Sequence, residues 1–451
     1  MSRTTQLVEF VLETSYEQID PAVITLAKKH FLDCVGSALA EAAHPRSQIV
    51  QNYLEQVGAE GPCRVIGYGR RATIDNAAFA NGILAHTISF DDSGPSHPSV
   101  TIVPPLLAMG ERYHLDGKAI LTAQVLAYDV FQRLNAVTED AWEMRKRGWH
   151  PTGFFGAVTS AILSAKLMRL TVDESVNAIA IAATMGGGLS QNIGSMGMGL
   201  HAGNASRNGI IAAHLSKQGF RADADPLEGR FGLMDALCGP GTYETHALTD
   251  GLGAPFRLLE PGITIKPYPN CWAHHKVLDS VLHLQKTHDI RPDQVARVEV
   301  DLQPDKPTYR YLAPKTDLEA RYSLGYGIAL CLLDGMLGLD QFADDRIGDA
   351  RTTGMMARIQ HVPQAPGAAQ NEVAIILTDG RRLTHRVAHS KGHPHFNPMS
   401  DDEVQAKFTG CATRLLPVAQ AARAAELINA LEEVSDLALV MDALVAPTAA
   451  A

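Results

Sequence analysis

Apolar residues recur at helical spacing through most of the first 250 residues. In DPAVITLAKKHFLDCVGSALAEA, the side chains of Val23, Ala27 and Phe31 share one helix face. Asp20 is a favourable N-cap, and Pro21 suits the first helical position. The same signals occur in TIDNAAFANGILAH, GKAILTAQVLAYDVFQRLN, FFGAVTSAILSAKLM and TVDESVNAIAIAATM. The pattern predicts a large all-helical part, with frequent Ala and Gly that suit closely packed helices.

Beyond about residue 290 the pattern changes to that of strands. ARVEVDL alternates between apolar and polar residues, MMARIQHV predicts a second strand, and NEVAIILTDGRRLTHRVAH predicts a hairpin that turns at Asp379-Gly380. SLGYGIALCLLDGM and AHHKVLDSVLHLQK are typical of helices. Helical periodicity returns from Ser400, which forms a capping box with Glu403. We therefore expect a small α+β unit followed by C-terminal helices.

Composition excludes several classes of function. A chain of 451 residues with 46% apolar and 20% charged residues is typical of a soluble protein of two or three domains. The sequence contains neither an apolar run of the roughly 20 residues that cross a bilayer nor an N-terminal signal pattern, so we expect no membrane partner and a cytoplasmic location. Six scattered cysteines argue against a zinc module or a disulfide framework. A net charge of -10 without a basic run argues against nucleic acid, which leaves a small molecule or another copy of the chain.

Two polar stretches precede predicted helices. FDDSGPSHPS combines carboxylates, hydroxyls and His97 with proline and glycine, which prevent an ordinary helix. Asp91 and Asp92 either line a pocket or cap the helix predicted from about Ser99. KRGWHPTGFFGA places His150 just before a helix, whose free N–H groups favour a carboxylate ligand. For each stretch, a purely structural role is the alternative.

Two further stretches carry candidate chemistry. GGGLSQNIGSMGMGLHAGNASRNG places His201 and Arg207 near a helix start, but its glycine spacing matches no nucleotide-binding loop. Close helix packing is the alternative explanation for these glycines. In ITIKPYPNCWAHHKVLD, Lys266 is suited to bind a carboxylate as a point charge, and Cys271 and His275 lie near the next helix start. A lone cysteine is more often inert than nucleophilic.

Taken together, the sequence resembles the MmgE/PrpD family, which includes 2-methylcitrate dehydratase, cis-aconitate decarboxylase and iminodisuccinate epimerase. The resemblance rests on HTISFDDSGPSHPS, GWHPTGFFGA, GLHAGNASRNG, KPYPNCWAHHKVLD, YSLGYGIALCLLDG and HPHFNPMSDDEVQAKF, in this order. It implies a mainly α fold, in which residues 1–261 and the C-terminal helices of 396–451 form an all-helical domain and 262–395 form an α+β lid. It also implies a homodimer, a site in the cleft between the domains, no metal or organic cofactor, and a small di- or tricarboxylate substrate.

The resemblance also predicts the site residues. The predicted catalytic residues are His97, His150, Tyr326 and His275, and the predicted substrate-binding residues are Ser93, Asp91, Lys266, His201 and Cys271. Three positions depart from the decarboxylases of the family. Ser89 stands in place of an acidic residue, Met198 in place of a lysine and Cys271 in place of a histidine.

Proton transfer next to a carboxylate is the implied chemistry, and we expect a hydro-lyase of the 2-methylcitrate dehydratase type. The start of the following helix should keep His150 neutral, as a base, whereas the carboxylates of Asp91 and Asp92 should raise the pKa of His97, as an acid. An epimerase of a dicarboxylate such as iminodisuccinate is the close alternative, and the three departures make a cis-aconitate decarboxylase a weaker one. A non-catalytic carboxylate-binding protein is the alternative of another class.

Overall fold

The computed structural model describes residues 1–138, 142–301, 309–363 and 371–447. The helices are α1 (Arg3–Glu13), α2 (Pro21–Ala42), α3 (Gln48–Gln56), α4 (Ile74–His86), α5 (Ser99–Tyr113), α6 (Gly117–Val137), α7 (Trp142–Lys146), α8 (Pro151–Leu167), α9 (Val172–Met185), α10 (Gly197–Lys217), α11 (Leu233–Cys238), α12 (His275–Thr287), α13 (Asp317–Ala320), α14 (Leu324–Asp334), α15 (Ala350–Met356), α16 (Asp401–Ala412), α17 (Val418–Asn429) and α18 (Ala438–Ala443). The strands are β1 (Cys63–Arg64), β2 (Arg71–Ala72), β3 (Val295–Val300), β4 (Ile359–His361), β5 (Val373–Leu377) and β6 (Arg382–His385). The predicted fold class, mainly α with a smaller α+β part, is confirmed. Within the described ranges, no helix has the length and hydropathy needed to cross a membrane.

The predicted helix signals act as expected. The Asp20 carboxylate accepts the N–H of Ala22 at 2.7 Å at the start of α2. Thr171 and Glu174 form the capping box of α9. Glycines let α10 approach its neighbours: a Cβ at Gly203 would lie 2.6 Å from the backbone oxygen of Phe79 on α4. The frequent glycines of this region therefore allow close helix packing, which was the alternative explanation for them.

The α+β part contains a four-stranded sheet in the order β4-β3-β5-β6. Strand β3 pairs parallel with β4 and antiparallel with β5, and β5 pairs antiparallel with β6. The predicted hairpin between β5 and β6 is confirmed, with Gly380 at φ +89° in its turn. The strand predicted over MMARIQHV is wrong at its start, because Met355 and Met356 end α15. That helix is capped by Asp349, which accepts the N–H of Thr352, and β4 begins only at Ile359.

The two largest hydrophobic cores among the described residues divide most of the chain. The main core runs from Leu7 to Ile265 and includes Val404 to Leu444, because α16 packs against α2. The smaller core, beneath the sheet, draws on Val277 to Leu377. The C-terminal helices thus share a core with the N-terminal part.

A buried lysine joins three distant segments where these parts meet. The Lys407 ammonium on α16 lies 2.5 Å from the Asp33 carboxylate on α2. It also donates to the carbonyls of Phe90 at 2.6 Å and Lys266 at 2.9 Å. Only 5% of the Lys407 side chain is exposed. Since a buried ammonium is costly without partners, this contact fixes the positions of all three segments.

We predict that Lys407→Met destabilises the fold strongly, because it leaves the buried Asp33 carboxylate without its cation. Removing one partner of a buried pair costs about 3–5 kcal/mol in free energy of unfolding. The control is Lys29→Met, whose partner Asp401 is 78% exposed, and it should cost less than about 1 kcal/mol. Urea unfolding of both variants measures the difference. Similar small losses in the two variants would contradict the role given to Lys407.

Candidate active site

A cavity of about 200 Å³ lies where the helical part meets the α+β part. Loops and helix ends from both parts line it: Ser89, Ser93, Gly94, Pro95, His97, Arg145, His150, Ile193 and Met198 from the helical part, and Cys271, Trp272, Ala273 and Tyr322 from the α+β part. Polar and ionisable side chains from both sides therefore converge on one small space. Such a concave pocket with convergent polar groups suits a small-molecule site.

The two adjacent aspartates of the first polar stretch have different roles. Asp92 caps α5, because its carboxylate accepts the N–H of Ser99 at 3.3 Å. Asp91 is directed away from α5, and its carboxylate contacts Nδ1 of His97 at 2.8 Å and Nδ1 of His86 at 3.2 Å. The capping alternative is therefore realised by Asp92, whereas Asp91 does not line the cavity and instead holds the ring of His97, which does.

The His97 ring is held in one tautomer. Its Nδ1 faces two acceptors, the Asp91 carboxylate at 2.8 Å and the Asp92 carbonyl at 2.9 Å, so Nδ1 carries the proton. The Nε2 atom of the neutral ring is then left with a free lone pair. Burial lowers the pKa of His97 to about 4, and the attraction of Asp91, opposed by Lys266, does not offset it. The expected rise in the pKa of His97 is therefore wrong, since desolvation outweighs the neighbouring carboxylate.

Asp91 itself is ionised. Burial would raise its pKa, but the ammonium of Lys266 and the imidazoles of His86 and His97 bring the pKa of the carboxyl well below its usual range. This carboxylate accepts hydrogen bonds from two histidines at once. Its charge therefore fixes the orientation of both rings.

His150 and His201 form a second pair. Their Nδ1 atoms lie 3.0 Å apart, so one of them carries the proton and the other accepts it. Burial brings the pKa of His150 well below its usual range, helped by the neighbouring imidazole of His201, and burial lowers the pKa of His201 to about 4. The neutral state predicted for His150 is supported, although burial rather than the helix start is the main cause.

The structure places Lys266 directly behind the cavity wall. The ammonium is fully buried and donates to the Ser89 carbonyl at 3.0 Å and to the Ser89 hydroxyl at 3.2 Å. Ser89, at φ +53°, adopts the left-handed conformation that is uncommon outside glycine, and it stands between Lys266 and the cavity. Lys266 therefore acts on the cavity through Ser89 and through its charge.

Cys271 and His275 differ in their access to the cavity. Cys271 lines it, and burial raises the pKa of the thiol to about 11, so the sulfur is a neutral thiol and a poor nucleophile. His275 is fully buried between the rings of Tyr268 and Trp272, with ring centroids 5.1 and 5.0 Å away. The structure does not bring His275 to the cavity.

Tyr326 is likewise outside the cavity, and Tyr322 takes its place. The Tyr326 hydroxyl donates to the Gln341 carbonyl at 2.8 Å inside the smaller core. Tyr322 lines the cavity, and its hydroxyl contacts Oγ of Ser89 at 3.1 Å and Sδ of Met198 at 2.8 Å. The motif YSLGYG carries tyrosines four residues apart, and the motif alone cannot tell which one faces the cleft.

The three positions that depart from the decarboxylases meet at one wall of the cavity. Tyr322 contacts both Ser89 and Met198, and Met198 packs with Cys271, Tyr322 and Ile193 in one apolar cluster. This wall carries a hydroxyl, a thioether and a thiol. Its character is therefore largely apolar.

Sequence reasoning missed His86 and Arg145. His86 ends α4, is fully buried and stacks on His150 with ring centroids 5.8 Å apart. Its place five residues before Asp91 in HTISFDD was the available signal. Arg145 lies in EMRKRGWH, where the adjacent basic residues are typical of an exposed segment. Nothing in the sequence separates Arg145 from its neighbours.

Three of the imidazoles are the described residues best placed to hold a metal ion. One ring nitrogen from each of His86, His97 and His150 lies within 4.8 Å of the others. Asp91 binds Nδ1 of two of them, as carboxylates often do for histidines that ligate metals. The predicted lack of a metal therefore remains a prediction to be tested.

Comparison with known proteins identifies relatives of the whole chain. The family model of the MmgE/PrpD N-terminal domain matches residues 5–246, and that of the MmgE/PrpD C-terminal domain matches residues 268–433. The chain is 26% identical to the cis-aconitate decarboxylase of Homo sapiens, covering 94% of this chain and 91% of the relative. It is 26% identical to the enzyme of that name from Mus musculus, covering 82% and 78%, and 23% identical to one from Aspergillus terreus, covering 98% and 96%.

We predict that acid destabilises the fold through the buried imidazoles. An unfolded imidazole binds its proton near pH 6.5, whereas the folded His201 ring does so only near pH 4. Between these values the unfolded state holds more protons, so the free energy of unfolding falls as the pH is lowered.

His201→Gln should reduce the slope of the free energy of unfolding against pH by up to about 1.4 kcal/mol per pH unit, which corresponds to one proton. His246→Gln is the control, because that imidazole is 53% exposed. Urea unfolding between about pH 4 and about pH 7 gives the slopes. The same slope in His201→Gln and in the unmodified protein would contradict the buried neutral ring.

Proposed function

Because the chain belongs to the MmgE/PrpD family, we propose that it is a lyase that removes a proton next to a carboxylate of a small di- or tricarboxylate. The observation that carries the proposal is the neutral His97 ring, with Nδ1 bound to Asp91 and a free lone pair on Nε2. Such a ring is suited to accept a proton from carbon when a cation stabilises the charge that develops. Arg145 and Lys266 supply positive charge at the cavity.

We assign the base to His97 and the acid to the pair of His150 and His201. In a dehydration, the C–H bond next to the carboxylate breaks and its proton moves to Nε2 of His97. The electron pair forms the carbon–carbon double bond, and the neighbouring C–O bond breaks as its oxygen takes a proton from the pair of His150 and His201, which holds one extra proton at this step and returns to its neutral state. The products are an unsaturated acid and water. This assignment reverses the one drawn from the sequence, because Asp91 holds the proton of His97 on Nδ1 and leaves Nε2 free to accept another, whereas His150 and His201 share a proton between their Nδ1 atoms.

Dehydration is our first candidate, and decarboxylation is the second. The names of the relatives favour decarboxylation, in which a C–C bond breaks, CO₂ leaves and the remaining electron pair takes a proton from an imidazole. The wall of Ser89, Met198 and Cys271 favours dehydration, since it lacks the ionisable groups that the family resemblance implies for a decarboxylase at these positions. Epimerisation, in which the proton returns to the opposite face, uses the same residues.

We further propose that the protein is a cytoplasmic homodimer without nucleic-acid partners. Several large apolar side chains near α10 and the loops beside it are exposed, namely Leu189, Met196, Leu200, Phe220 and Phe231. Exposed apolar side chains of this size suit a protein interface where they form one patch. A second copy of the chain is the partner that the family resemblance favours.

Incubation with a panel of di- and tricarboxylates in D₂O, followed by NMR, tests the proposal. We expect deuterium at the carbon next to a carboxylate, together with loss of water. Loss of CO₂ would select decarboxylation, and deuterium without elimination would select epimerisation. A protein that binds these acids without any exchange would be a carboxylate-binding protein and would contradict the proposal.

Two variants test the roles of the histidines in the same assay. His97→Gln should stop deuterium incorporation, and His150→Gln should retain exchange while product formation falls by about 100- to 10,000-fold. His288→Gln, on the exposed end of α12, is the control and should behave like the unmodified protein. The opposite pattern in the first two variants would restore the assignment of His150 as the base.

We also predict that turnover survives dialysis against EDTA, because proton transfer requires the same ring lone pairs that a metal would occupy. Activity is measured before and after dialysis and again with added Zn²⁺ or Mg²⁺. Restoration only by a divalent metal would contradict this prediction. His86, His97 and His150 would then be the ligands to test.

A further inference from the structure

Arg145 is distinguished by its charge among the described residues that line the cavity. The other lining side chains are imidazoles, hydroxyls, a thiol, a thioether and apolar groups. The imidazoles of His97 and His150 are neutral, and burial raises the pKa values of Cys271 and Tyr322, so neither is ionised. The guanidinium of Arg145 therefore supplies the one permanent charge on this part of the cavity surface.

The guanidinium has a backbone partner but no acidic one among the described residues. Its Nη2 atom donates to the Pro95 carbonyl of the loop that carries His97. The ion pairs within the described ranges do not include Arg145. Burial lowers its pKa, and the ionisable groups that oppose this shift, Cys271 and Tyr322, are neutral. A guanidinium in this setting retains donors for a carboxylate ligand.

The other nearby cation is already balanced. Lys266 lies behind Ser89, and its charge is opposed by the ionised Asp91, which it holds in that state. With this pair neutral as a whole, the cavity carries one positive charge in excess, that of Arg145. Ile193, Met198 and Trp272 make much of the remaining wall apolar. No second lining cation is present among the described residues to match a further carboxylate.

We propose that Arg145 is a specificity-determining residue that binds one carboxylate of the substrate, and that the site prefers dicarboxylates to tricarboxylates. This inference rests on the proposed function, since it identifies the substrate class of the same cavity. A guanidinium offers two parallel N–H donors to a carboxylate, a geometry that lysine does not reproduce. One carboxylate binds Arg145, and the other lies beside the carbon that gives its proton to His97.

Calorimetric titration with succinate and with its monoamide, succinamate, tests the inference without requiring turnover. We expect the unmodified protein to bind succinate at least about tenfold more tightly than succinamate, or about 1.4 kcal/mol. Arg145→Gln should remove this difference, and Arg145→Lys should restore part of it. Arg147→Gln, the same change two residues along at an exposed position, is the matched control and should keep the difference. Tricarballylate should bind more weakly than succinate.

The readouts separate a ligand contact from a structural role. If Arg145 only holds the loop through Pro95, Arg145→Gln will weaken succinate and succinamate equally, which would overturn the inference. Undetectable binding of succinate to the unmodified protein would overturn it as well. Arg145-dependent binding of succinate with no exchange in D₂O would support the inference and contradict the proposed function. Turnover of a dicarboxylate with kcat/KM unchanged in Arg145→Gln would contradict the inference and support the proposed function.

Discussion

The buried ammonium of Lys407 is the contact on which the cavity depends. It neutralises Asp33 on α2 and holds the carbonyls of Phe90 and Lys266, which begin the two segments that meet at the cavity. Burial nonetheless raises the pKa of Asp33 to about 6, even against the attraction of Lys407. The C-terminal helices therefore do more than complete a core: through one side chain on α16 they position the loop that carries His97 and the strand-like segment that carries Lys266.

Desolvation determines the chemistry of the site as strongly as its charges do. The imidazoles of His97, His150 and His201 all have lowered pKa values with burial as the first cause, so they exchange protons as neutral rings. Asp91 keeps its negative charge in the same surroundings because Lys266 and two imidazoles stabilise it. The result is a site with fixed hydrogen-bond directions and little charge of its own, in which a bound anion becomes a dominant electrostatic feature.

The sequence predicted the parts of the structure that depend on local physics. Helical periodicity, the Asp20 cap, the Thr171 capping box and the turn at Gly380 each act over a few residues, and each was found in place. Most of the segments that carry the family resemblance contribute residues to one cavity. Other facts depend on the assembled fold and could not be predicted. The motif does not show which tyrosine of YSLGYG lines the cavity, or that Arg145 lines it. Nor does it show that burial lowers the pKa of His97 by more than Asp91 raises it.

The left-handed conformation of Ser89 has a consequence for how this fold diverges. At φ +53° the position tolerates Gly, Asn, Asp or Ser far better than a β-branched or bulky residue. Lys266 donates to the Ser89 hydroxyl and also to the backbone carbonyl of this residue, which remains whatever the side chain. An acidic residue and a neutral one can therefore replace each other here without displacing the ammonium behind them. A substitution at this position can therefore change the charge of the cavity while the surrounding framework stays constant.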